Sequence, residues 1–110
     1  AGRAFRWTGA AAGAYVWLDG RALSGEFELF CGAPLDRLAG GRQAVDVFWR
    51  GELVERLEFR RNEARTVRVR GRRGREGFLE FRVRPTFNLK RMGLGEESRD
   101  LGVQVSGPGI

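Results

Sequence analysis

The groups through which this sequence can do chemistry are its carboxylates, its arginines, three tryptophans and one thiol; it contains no histidine. The commonest general base and the commonest zinc ligand are therefore missing, and Ser-His-Asp or Cys-His nucleophilic catalysis is excluded. Acids do occur together, Glu26 with Glu28 and Glu96, Glu97 with Asp100. A glycosidase needs two such groups flanking a bond inside a cleft, and nothing in this spacing fixes that separation. Calcium takes roughly six to eight oxygens, and the sequence has neither an EF-hand spacing nor an aspartate-rich loop. Cys31 is the single cysteine, so no internal disulfide forms. Following Phe27 and Leu29 on an apolar run, it reads as a small core residue. These residues predict no catalytic group, no metal site and no cofactor.

Charge is the loudest feature. The net charge is +6, and residues 56 to 75 hold nine arginines against Glu58 and Glu63, a local net of +7. The basic character is thus one stretch and not a property of the whole surface. Arg68 and Arg70 alternate outward on one apolar run, Arg82 and Arg84 on the next. If those runs pair as a hairpin through Gly71–Gly77, four guanidinium groups share one face that attracts nucleic acid, phosphate or another polyanion. The competing reading is a solvated face with acids such as Glu80 interleaved. Single-strand binders also need aromatic stacking platforms, and only Phe78 joins the arginines there.

Trp7, Trp17 and Trp49 could stack against the apolar face of a sugar ring, but each alternates in step with other apolar residues and reads better as core. The long polar stretch from Thr86 to Asp100 offers Thr86, Asn88, Arg99 and Asp100 beside strand ends, where a sandwich can present a ligand. The same residues can serve structure, with Arg99 ion-paired and Thr86 or Asn88 closing a turn.

The elements that must position these groups are short strands. Period-two alternation marks Ala4 to Thr8, Ala14 to Leu18 (Tyr15 and Trp17 on one face), Glu26 to Cys31, Val45 to Trp49, Leu53 to Phe59, Thr66 to Arg70, Phe78 to Arg84 and Leu101 to Val105. Gly9 to Gly13 reads as a turn, and Pro34 to Gly41 as a loop with room for one short helical turn. Arg50-Gly51 closes the clearest hairpin, with Leu53, Glu55, Leu57 and Phe59 on its inner face. The last two strands are expected to line one sheet's core on either side of the long loop. About eight strands spaced roughly 8–12 residues apart predict an all-β protein, an antiparallel β-sandwich or barrel. A chain of 110 residues makes one domain, 1–110. Its abrupt ends, AGRAFRW and SGPGI, read as those of a domain excised from a longer protein. No run approaches the roughly 18 apolar residues of a membrane helix.

FRWTG at 5–9, VDVFWRGELVERLEF at 45–59 and RPTFNLKRMGLGEESRDLGVQVS at 84–106 together resemble a bacterial accessory domain attached to glycosyltransferases and other surface-polysaccharide enzymes. Phe5, Arg6, Trp7, Thr8, Gly51, Thr86, Phe87, Leu94, Gly95, Arg99, Leu101, Gly102 and Val103 match its pattern. Arg50 departs from it where asparagine is usual, Leu89 where proline is, and Glu97 where aspartate is. The resemblance implies a galactose-binding-like jelly roll and a non-catalytic carbohydrate-binding or scaffolding role in cell-envelope glycan synthesis. It implies a glycan or a neighbouring glycosyltransferase domain as partner, in the cytoplasm or at the envelope of a bacterium. With the reading of the loop, it makes Trp7, Thr8, Thr86, Asn88, Arg99 and Asp100 the candidate glycan ligands. The arginine face of Arg68, Arg70, Arg82 and Arg84 stands as the alternative, a nucleic-acid or polyanion site.

Overall fold

A computed structural model describes residues 6–17, 24–70 and 76–107. Eight strands follow one another: β1 (Arg6–Trp7), β2 (Ala11–Trp17), β3 (Ser24–Phe30), β4 (Gln43–Trp49), β5 (Glu52–Phe59), β6 (Ala64–Arg70), β7 (Glu76–Arg84) and β8 (Gln104–Ser106). Between β3 and β4, Leu35–Arg37 and Ala39–Gly41 each form one 3-10 turn. Among the described residues no helix is long and apolar enough to cross a membrane.

The strands form two four-stranded sheets, β1-β8-β3-β6 and β2-β7-β4-β5, and every pairing is antiparallel. This strand order is a jelly-roll sandwich. Alternation puts Phe27, Leu29, Val67, Val69 and Val105 inward from the first sheet and Val45, Val47, Phe59, Leu79 and Phe81 inward from the second, all of them buried.

The pairing corrects two expectations. β6 joins β3 in the first sheet, while β7 lies between β2 and β4 in the second. No β6–β7 hairpin exists, because the chain crosses from one sheet to the other between them. β7 and β8 likewise belong to different sheets, so they do not line one sheet's core together.

Two edge strands differ in phase from the sequence reading. On β2 it is Val16 that is buried, and Tyr15 stands 75% exposed on the outer face. The strand also begins at Ala11, inside the stretch expected to turn. Inward positions here carry alanine (Ala12, Ala14), so the bulk of the side chains does not mark the core side. Trp17 ends this strand, and its side chain lies outside the described residues. On β5, Val47 opposes Glu55 but Phe48 opposes Leu53, so Val54 is the extra residue of a β-bulge. The bulge flips the phase: Leu57 and Phe59 stay in the core, whereas Leu53 and Val54 are exposed.

One buried polar residue ties the layers together. Gln43, on β4, has no exposed surface. Its Nε2 donates to the carbonyls of Pro85 (3.0 Å) and Gly102 (3.1 Å), and its Oε1 accepts from the Cys31 thiol at 3.4 Å. It thereby holds both ends of the long β7–β8 connection.

Candidate ligand-binding site

The residues drawn from the long loop are brought together, but their polar groups are largely engaged within the fold. Thr8 is buried; its Oγ1 accepts from the Val103 N–H (3.0 Å) and donates to the Gly9 carbonyl (3.1 Å). Asn88 is buried too. Its Nδ2 donates to the Ser98 carbonyl (2.8 Å) and to Asp100 Oδ1 (3.0 Å), while its Oδ1 accepts from the Arg91 N–H (3.0 Å). Arg99 donates through Nε and Nη2 to the two oxygens of Glu97, each at 3.0 Å. That pair holds the Glu97 carboxyl below its ordinary range and raises the Arg99 guanidinium. Thr86 is half-buried and borders Phe87, whose backbone exchanges hydrogen bonds with Leu101 at 2.9 and 2.8 Å. Trp7 packs edge-on against Phe87, ring centroids 5.8 Å apart. Phe87 is buried, and Leu89 and Met92 pack against the core; Leu94 alone of the loop's large apolar residues is exposed. The loop lies flat on the sandwich as a clasp.

The four arginines do not share a face. Arg68 and Arg70 lie on the outer side of the first sheet, Arg82 and Arg84 on the outer side of the second. Arg68 pairs with Glu26, its cross-strand neighbour. Arg82 pairs with Glu80 at 3.1 Å and stacks over the Phe48 ring at 4.7 Å. Arg84 reaches Asp46 at 2.8 Å, and Arg56 holds the other oxygen of that carboxylate at 3.3 Å. Arg70 has no ion-pair partner among the described residues.

Two surfaces were missed from the sequence, and both follow from the phase changes on the edge strands. The first is the outer face of the second sheet. Register places Tyr15 beside Phe78, with ring centroids 5.3 Å apart and planes at 60°. Phe78, 41% exposed, lies over Gly13, where an added Cβ would strike the ring. In the next row Glu80 opposes Phe48, which carries the stacked Arg82. An open face thus combines two exposed rings with a carboxylate and a guanidinium.

The second is a cleft of about 720 Å³ beside the edge strands β5 and β6, lined by Trp49, Arg50, Glu52, Leu53, Val54, Arg68 and Arg70. Arg50 and Gly51 form its two-residue turn, with φ of 52° and 85°, as a type I′ hairpin requires. Gly77, on β7, leaves room for it: a Cβ there would lie 2.6 Å from Arg50 Cγ and 2.8 Å from the Trp49 ring. The indole Nε1–H of Trp49 is buried with no acceptor.

Comparison with protein families, curated proteins and solved structures finds no match to this chain. Its function is read from these surfaces.

Proposed function

We propose that this jelly roll is a non-catalytic carbohydrate-binding module, of the accessory kind that serves bacterial cell-envelope glycan synthesis. The observation that carries the reading is the Tyr15–Phe78 pair, exposed on the outer face of the second sheet. The pair lends the sheet only about 0.2–1 kcal/mol and still leaves Tyr15 75% exposed, whereas the C–H face of a pyranose stacks on such rings. Glu80 and Arg82, paired with each other beside these rings, keep further lone pairs and N–H groups for hydroxyl groups. An open sheet face suits an extended polysaccharide better than a small molecule. The aromatic residues given to stacking are therefore Tyr15 and Phe78, in place of Trp7 and the loop residues.

Titration calorimetry against a panel of envelope polysaccharides tests this. Binding is expected, and Tyr15→Ala and Phe78→Ala are each expected to weaken it at least about tenfold with the far-UV spectrum unchanged. Binding that survives both substitutions would move the site off this face. A silent panel, together with capture of a glycosyltransferase domain that the same substitutions abolish, would leave scaffolding as the role.

A further inference from the structure

We propose that the cleft beside β5 and β6 is a second subsite, one that takes the anionic group of an acidic saccharide. The inference rests on the glycan reading and adds a ligand class to it. Three independent departures from what folding alone favours meet at this cleft. Arg50 sits in the left-handed region, where asparagine or glycine is relaxed and a long side chain is strained. Arg50 and Arg70 have no ion-pair partner among the described residues, although most arginines of this surface do. Trp49, lining the same cleft, keeps its indole N–H without an acceptor, the only buried side-chain polar atom so left among the described residues. Such orphans are uncommon, and strained positions gather at functional sites.

The chemistry is that of a carboxylate or phosphate carried on a hydroxylated ring. Guanidinium groups bind either anion through paired N–H donors, Glu52 accepts from hydroxyls, and Leu53 and Val54 give the apolar rim that a sugar's C–H face needs. Size favours a saccharide unit over a nucleic-acid track. The cleft falls in the roughly 300–1,000 Å³ range of small-ligand sites. Two unpaired arginines are also few beside the roughly 6–10 phosphate contacts a polyanion binder makes.

The test is a ¹H–¹⁵N titration of the chain with α-1,4-trigalacturonate, its neutral counterpart α-1,4-galactotriose, inorganic phosphate and oligothymidylate. The acidic trimer is expected to shift residues 49–54, Arg70 and the Trp49 indole, and to bind at least about tenfold more tightly than the neutral one. Arg70→Ala and Arg50→Asn are each expected to remove that preference. Arg50→Asn suits the turn better than arginine does, so it keeps the fold while deleting the charge. Equal affinity for the two trimers, unchanged by Arg70→Ala and lost in Tyr15→Ala, overturns the cleft and leaves the glycan reading standing. A response to phosphate or oligothymidylate with none to either trimer overturns both.

Discussion

Replacing Gln43 by leucine asks whether one buried amide holds the long β7–β8 connection in place. The substitution keeps side-chain volume nearly constant, so it opens little cavity. It leaves the carbonyls of Pro85 and Gly102 without the donor that now lies 3.0 and 3.1 Å away. The buried Gly102 carbonyl so orphaned costs about 1–3 kcal/mol, and the part-buried Pro85 carbonyl, which water can reach, about 1 kcal/mol. The added apolar surface of leucine returns about 1 kcal/mol, so the net loss centres near ~2 kcal/mol. That is a large part of the roughly 5–15 kcal/mol by which domains are stable. Urea denaturation with an unchanged slope measures it. Amide exchange gives a local signature: Phe87 and Leu101, whose backbones bond each other, should exchange faster relative to the global rate. A loss under ~1 kcal/mol, with Phe87 and Leu101 still protected, would refute the reasoning, because the loop would then be held by its apolar contacts alone.

Gly102→Ala should cost about 3 kcal/mol or more by urea denaturation, since its Cβ would fall 2.5 Å from the Gly9 carbonyl and onto the Thr8 hydroxyl. The Glu97 carboxyl should titrate below its ordinary 4.5, held down first by the side-chain hydrogen bonds from Arg99. Any stability it lends is present above 4.5 and fades as pH falls through the lowered value; carbon-detected NMR should show the midpoint return upward in Arg99→Gln. Burial, then the nearby Glu63 charge, raises the Cys31 thiol above its ordinary 9.0. The unfolded chain therefore ionises first, stability should decline as pH rises past 9.0, and iodoacetamide should label Cys31 only on unfolding.

Strand positions were legible because period-two alternation is a local signal: β3, β4, β6 and β7 sit within a few residues of where Phe27, Val45, Val67 and Phe81 placed them. Pairing was not, being non-local. Taken seriously, however, the jelly-roll expectation already separates Arg68 from Arg82, since in that topology β6 and β7 lie in different sheets. Phase failed on the two edge strands. On β2 the large residue Tyr15 points outward and the small ones inward; on β5 a bulge at Val54 shifts every residue toward the turn. Neither leaves a sequence mark that alternation reads. The departure from asparagine at Arg50 was visible, but only its φ and its place beside Trp49 and Arg70 gave it meaning.

The two ends of the molecule differ in how their polar groups are used. In and beneath the long loop Asn88 uses both donors and its acceptor, Thr8 donates and accepts, Glu97 is clasped by Arg99, and Gln43 is satisfied three times. A ligand binding there has to displace bonds the fold already makes, at about 1–3 kcal/mol for each group left unpaired. At the β4–β5 turn the position is reversed. Arg50 is strained and unpaired, Trp49 holds an idle donor, and Leu53 and Val54 stand in water. An anion there would meet Arg50 and Arg70 without displacing an ion pair among the described residues. Length draws attention to the loop between Thr86 and Asp100, but its polar groups are spent on the fold, whereas the proposed anionic subsite rests on groups at a two-residue turn that are not.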